Sequence, residues 1–343
     1  MKFLRQSITV LLWFCLAATV WAQEPQEQEP DIIRVDTSLT NLLFTATDKH
    51  NRYVTTLKEE DLRLLEDGVP QTITTFQRET DRPLSIAFLI DVSASQERTL
   101  SDEKAATRAF IETVIKSNKD EAAVIAFTHS AFLEQDLTRD VLSLYRALQR
   151  IEVAMPSYLG AGPPIPGIVS GPGMPAPPPE GSTAIWEAVA LTSARVLAPR
   201  SPNAAENQRR RAVILLSDGF DTSSRLKRSE AVNAALANEA VIYAIGIGDG
   251  KFSGVDKDAL RALAEATGGR AFFPKKQFDL TAAFSEIEQE LRSQYLMVYT
   301  STNKNRDGSF RRIKLEVNNP QLQKQKLKLR YRPGYYARPA ERN

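Results

Sequence analysis

Five side-chain oxygens on three separated stretches have the types and order to hold one hard cation. They are Asp91, Ser93 and Ser95 in Asp91-Val92-Ser93-Ala94-Ser95, Thr183 in Gly181-Ser182-Thr183, and Asp218 in Ser217-Asp218-Gly219. A loop leaving a strand can aim residues i, i+2 and i+4 at one centre while its backbone curls around it. Oxygen donors of this kind suit Mg2+, Mn2+ or Ca2+ and suit zinc or copper poorly. Hydroxyls add no charge, so the two aspartates balance a divalent ion on paper. Alone, D-x-S-x-S is a weak signal, because Asp and Ser are ordinary turn formers. Thr183 or Ser182 could equally cap the helical pattern that begins at Ala184-Ile185-Trp186, and Asp218-Gly219 could be only a turn. Asp221 reads as a solvated loop residue or a cap and stands outside the ligand set.

The elements around these stretches strengthen the signal. Leu84–Ile90 and Ala212–Leu216 are short, apolar and rich in β-branched residues, the pattern of buried strands. Each is followed at once by one of the aspartates, Asp91 directly and Asp218 after Ser217. In open α/β sheets the ligand crevice lies at the carboxyl ends of the strands. From Pro83, strand and helix patterns alternate as far as Arg292, which predicts an α/β, doubly wound and mostly parallel sheet covered on both faces. The flanks read differently. Leu62–Leu65 and Gln71–Phe76 surround Asp67-Gly68, a hairpin signal. Gln294–Thr300, Arg312–Val317 and Gln325–Tyr331 are alternating strands, and Ile185–Leu197 reads as one helix. Neither flank can bury both strand faces alone, so the two are expected to build one β-sandwich with the α/β domain inserted between them.

With these motifs in place, the chain resembles the von Willebrand factor type A domain over residues 82–292. The resemblance rests on the metal-ion-dependent adhesion site of that family, written D-x-S-x-S, a distant Thr, then an Asp after a central strand. Leu64-Leu65-Glu66-Asp67-Gly68-Val69-Pro70-Gln71 and Arg332-Pro333-Gly334-Tyr335-Tyr336-Ala337 are similar to the flanks of a bacterial secreted family built on that domain. The resemblance implies a Rossmann-like fold, a metal held by Asp91, Ser93, Ser95, Thr183 and Asp218, and one coordination position left for water or for a partner's Asp or Glu.

The N-terminus reads as a secretory signal peptide over residues 1–22. Lys2 and Arg5 precede the apolar run Ile8–Val20, and Val20-Trp21-Ala22 supplies a cleavage site. The run is short for a membrane span. Secreted or periplasmic localisation follows. The single cysteine, Cys15, would leave with the leader, so no disulfide, thiol nucleophile or zinc-thiolate site is expected. Loss of Lys2 and Arg5 takes the 44 basic residues to 42, level with the 42 acidic ones. A near-neutral chain argues against nucleic-acid binding. The basic runs Arg209-Arg210-Arg211 and Lys324–Arg332 read as solvated faces. Residues 23–81 and 293–338 are assigned to the sandwich. Pro156–Gly181 holds nine of the 19 prolines and reads as an insertion ending beside the metal, either a recognition loop or a passive one.

Three function classes remain. The first is a non-enzymatic module that captures an acidic group of a protein partner through the cation. A metal-dependent hydrolase is disfavoured, because His50 and His129 lie outside the three loops and no H-E-x-x-H or P-loop exists. Ser217 lacks a G-x-S-x-G elbow, and Gly246-Ile247-Gly248-Asp249-Gly250 fails the dinucleotide pattern. The third class is a structural envelope protein with an incidental metal.

Overall fold

The computed structural model describes residues 39–78, 82–116, 118–153, 182–199, 209–248, 254–275 and 277–337. The leader stretch and the Pro156–Gly181 insertion lie outside them. The described part belongs to one compact unit, Ser38–Asn343. Among the described residues no helix is long and apolar enough to cross a membrane.

A six-stranded sheet forms the centre. Its strands are β5 (Leu84–Asp91), β6 (Glu121–Phe127), β7 (Ala131–Thr138), β8 (Arg210–Ser217), β9 (Ala240–Gly246) and β10 (Ala271–Phe272), in the spatial order β10-β9-β8-β5-β6-β7. All neighbours are parallel except the edge pair β6–β7. Alternate residues of β5 go to opposite faces. Ile86, Phe88 and Ile90 pack with α1 (Leu100–Val114), α2 (Val141–Arg150) and α6 (Gln277–Arg292). Ala87 and Leu89 pack with α3 (Ile185–Leu191), α4 (Arg228–Ala237) and α5 (Lys257–Ala266). Burial on both faces is why β5 and β8 read as unbroken apolar runs.

The flanks form two four-stranded sheets, each mixing strands from both ends of the chain. One orders β13 (Lys328–Tyr331), β1 (Leu39–Thr47), β11 (Tyr295–Thr300) and β4 (Ile73–Arg78); the other orders β14 (Gly334–Tyr336), β12 (Phe310–Val317), β2 (Leu62–Glu66) and β3 (Val69–Pro70). Leu42, Phe44, Leu64, Tyr295, Met297, Tyr299, Ile313 and Leu315 fill one core between them. Buried Glu66 accepts hydrogen bonds from Tyr299 Oη at 2.7 Å and Tyr335 Oη at 2.9 Å, tying β2 to both C-terminal segments.

The structure corrects four local readings. The Asp67-Gly68 turn closes only the two-residue arm β3, and Ile73–Arg78 crosses to the other sheet to pair with β11. Pro70 has no N–H to extend the ladder. Gln325–Tyr331 is not one strand. Asn319 caps a short helix, α7 (Pro320–Lys324), accepting from Gln321 N at 2.9 Å. Lys326 then takes φ 51° before β13 starts. Ile185–Leu197 is α-helical only to Leu191 and continues as a wider π turn over Thr192–Val196. The arginine run is not a solvated face: Arg210 and Arg211 are buried, and Arg209 pairs with Glu121 at 3.0 Å. These guanidiniums satisfy carbonyls at the amino edge of the sheet, such as Leu84 O at 2.7 Å from Arg209.

Candidate metal centre

The sheet topology converges on the predicted residues. β5 is followed by strands on one side and β8 by strands on the other, so the chain reverses direction between these two neighbours. Such a switch point opens a crevice at the carboxyl edge. Ile90 pairs with Leu216 across it, which sets Asp91 level with Ser217 and one residue from Asp218.

Asp91 is fully buried, and both its carboxylate oxygens are fixed. Oδ1 accepts the backbone N–H of Ser93 at 3.0 Å, and Oδ2 accepts the Ser217 hydroxyl at 2.7 Å. Ser217 in turn accepts the N–H of Gly219 at 3.0 Å. Burial pushes the Asp91 carboxyl up to about 6, and the nearby charge of Asp218 adds to the rise, while bonds from Ser93 and Ser217 oppose it. The Ser93 and Ser95 hydroxyls lie 3.0 Å apart, as expected of residues i+2 and i+4 curled about a centre.

Thr183 reaches the same edge by backbone anchors. Ala184 N donates to Thr128 O at 2.8 Å just beyond β6, whose Phe127 O accepts Val92 N at 3.0 Å. Thr183 N donates to the Thr222 hydroxyl at 2.8 Å, and Thr222 N returns to Thr183 O at 2.9 Å. Neither Ser182 nor Thr183 caps α3. The cap comes from the third stretch: Asp221 Oδ1 accepts Ile185 N at 2.8 Å and the Ser224 hydroxyl accepts Trp186 N at 3.1 Å. Thr183 is thereby left free of a capping role, and Asp221 is a cap supplied by another loop.

Asp218 is buried, and its Oδ1 accepts Phe220 N at 3.1 Å. Its carbonyl accepts Asp256 N at 2.8 Å. Gly219 between them has φ +86°, and a Cβ there would stand 2.8 Å from Leu260 Cγ and 2.9 Å from Asp256 O. Only glycine fits this backbone approach.

These residues suit a cation. Asp91 and Asp218 are two buried carboxylates at one sheet edge, and neither has a salt bridge among the described residues. Two like charges out of water with no protein counter-charge are costly. Among the described residues no group of three His, Cys, Asp or Glu gathers for a metal. The remaining donors here are hydroxyls, which is the chemistry of a hard-ion site. His50 sits in the Asp48 turn, where its N–H bonds Asp48 Oδ1 at 2.8 Å. His129 lies closer to the edge than its sequence position suggested, with Nδ1 3.2 Å from the Thr128 hydroxyl. Sequence reasoning left out Ser217 as an orienting group and Thr222 as an anchor. Hydroxyls in a turn carry no pattern that separates such roles from solvated loop residues.

No protein-family model and no curated protein matches the chain. Among solved structures, proximal thread matrix protein 1 from the mussel byssus is 16% identical, with 66% of this chain and 51% of that one covered at a TM-score of 0.48. Another structure of that byssus protein carries a zinc-occupied MIDAS motif. A von Willebrand factor type A protein from Catenulispora acidiphila is 14% identical, covering 90% of this chain and 75% of its own at a TM-score of 0.46. An aerotolerance-related membrane protein from Bacteroides fragilis is 17% identical, covering 61% and 98% at a TM-score of 0.44. The chain spans about half the length of the byssus protein.

Proposed function

We propose that this chain, whose α/β unit has the von Willebrand factor type A fold, is an exported, non-enzymatic binding module that takes hold of an acidic group on a protein partner through a divalent cation. The observation that carries this reading is the pair of buried, uncompensated carboxylates, Asp91 and Asp218, at the switch point between β5 and β8. Asp91, Ser93, Ser95, Thr183 and Asp218 would hold the ion, with Mg2+ as the first choice and Mn2+ or Ca2+ as alternatives. When bound, the cation supplies a fixed positive charge at the crevice mouth, able to accept a partner's Asp or Glu carboxylate.

The protein's own part is orientation. Ser217 and Ser93 lock the Asp91 carboxylate in one rotamer. The Gly219 turn, at φ +86°, fixes Asp218 against α5. Three of the five donors are neutral hydroxyls, so the bound ion would stay Lewis-acidic enough to accept a further carboxylate from outside. Phe220, 44% exposed beside Asp218, adds an apolar contact at the rim.

The test is a pull-down from the source organism's envelope fraction with the mature protein, in Mg2+ and in EDTA. A partner retained in Mg2+, released by EDTA and lost with Asp218→Ala supports capture through the ion. A partner retained equally in EDTA overturns it. Hydrolysis of ester or phosphate substrates that tracks Mg2+ would establish the hydrolase reading instead.

A further inference from the structure

Helix α1 starts immediately behind the first metal loop, and its core-facing stripe contains an anomaly. Leu100, Ala106, Phe110, Ile111 and Val114 on that stripe are apolar, yet Glu103 is among them at 0% exposure. Neither carboxylate oxygen of Glu103 has a hydrogen-bond partner. No salt bridge reaches it among the described residues. A buried carboxyl without a donor or counter-charge is among the most expensive groups a core can hold. A glutamine or leucine would fill the same space at less cost, so the carboxylate needs a reason.

That reason lies one turn away. Gln96, itself fully buried, donates from Nε2 to the Ser95 hydroxyl at 3.2 Å. Gln96 Oε1 accepts the Thr99 hydroxyl at 3.0 Å, and Thr99 O accepts Glu103 N at 3.0 Å. A continuous chain of contacts thus joins a metal-loop hydroxyl to the backbone of Glu103. The charges of Asp91 and Asp218 both reach the Glu103 carboxyl; with burial as the larger cause, they push it up to about 8. The Thr99 hydroxyl opposes the rise, although it is already committed to Gln96.

We infer that Glu103 is a third carboxyl group of the metal centre, buried behind the five oxygen side chains rather than among them, whose negative charge a bound cation would draw out by displacing its proton. This rests on the metal reading above and deepens it. A third carboxyl behind the ion would strengthen its hold beyond what the five side chains of the sequence motif supply. The neighbouring Thr107 hydroxyl is also buried and unpartnered. It lies one turn further from the metal loop along α1 and serves as the control.

The experiment titrates Mg2+ and Mn2+ into EDTA-stripped mature protein by calorimetry, for the parent, Glu103→Gln and Thr107→Val, with metal-free melting curves for each. The expected result is at least tenfold weaker binding of both ions by Glu103→Gln, binding by Thr107→Val within twofold of the parent, and a metal-free Glu103→Gln that melts at or above the parent. Glu103→Gln binding within twofold of the parent overturns the assignment of Glu103 and leaves the five-ligand site standing. A metal-free Glu103→Gln that melts well below the parent or fails to fold makes Glu103 a structural core group and also overturns it. Equal weakening by Thr107→Val shows a general loosening of α1 and counts the same way. A parent that binds neither ion removes the metal reading itself.

Discussion

Ser217→Ala is the perturbation that separates an oriented metal ligand from a turn residue that happens to be buried. The Ser217 hydroxyl is fully inaccessible and makes two bonds, one donated to Asp91 Oδ2 at 2.7 Å and one accepted from Gly219 N at 3.0 Å. A hydrogen bond to a charged acceptor contributes about 1.5–3 kcal/mol, and stranding a buried donor costs about 1–3 kcal/mol. Allowing for partial relaxation, the variant should lose about 3 kcal/mol, which for a chain of this size is a fall in Tm of about 4–5 °C. A second signature is specific to the site. The Ser217 bond favours the ionised form of Asp91, whose carboxyl is already raised to about 6. Without it the proton competes harder with the cation. Mg2+ affinity, measured by calorimetry, should therefore fall more at pH 6 than at pH 8 relative to the parent. A Tm change under about 2 °C, or the same affinity loss at both pH values, would refute the reasoning.

Three further outcomes are expected. Asp91 is raised in the fold, so its carboxyl contributes most to metal-free stability below the ordinary carboxylate range, and that contribution is lost as pH climbs through about 6. A shift from 3.8 to about 6 corresponds to about 3 kcal/mol in full, so the parent should lose about 2 kcal/mol of it relative to Asp91→Asn between pH 4 and pH 7 in EDTA, as read by chemical denaturation. Gly219→Ala must move a backbone held at φ +86° against Leu260 and Asp256; it should lower both Tm and cation affinity, and a neutral result in melting and calorimetry would show that the turn is adjustable. Deleting residues 293–343 removes β11 from one sandwich sheet and β12 and β14 from the other. Limited proteolysis should then degrade the N-terminal strands, and an equally resistant N-terminal fragment would contradict a shared sandwich.

The parts legible in the sequence were those written in side-chain pattern. β5 and β8 stand out because burial on both faces demands unbroken apolar runs, and the strand ends alone place Asp91 and Asp218 at one edge. The shared sandwich followed from counting strands that could not bury themselves. The misread parts depend on long-range pairing. Nothing local to Gln71–Phe76 shows that Ile73 faces Tyr299 rather than the arm across the turn. Arg210 looked solvated because a guanidinium is normally outside, yet its donors answer carbonyls brought from Arg82 and Leu291 by the fold. The cap on α3 lies outside its own segment: it comes from Asp221, 36 residues on. Glu103 was invisible for a related reason: a Glu in a helical pattern reads as surface until the neighbouring elements close over it.

The central claim is that Asp91, Ser93, Ser95, Thr183 and Asp218 hold one divalent cation. Titrating Mn2+ into EDTA-stripped mature protein, with the free ion followed by electron paramagnetic resonance, counts the bound ions directly. The account predicts one ion per chain, displaced by Mg2+. In Asp218→Ala the site should bind Mn2+ on the order of a hundredfold more weakly, consistent with loss of a charged ligand worth roughly 3 kcal/mol, with the metal-free melting curve preserved. A parent that leaves all the Mn2+ free at millimolar concentration, or an Asp218→Ala protein that binds as tightly as the parent, would contradict it.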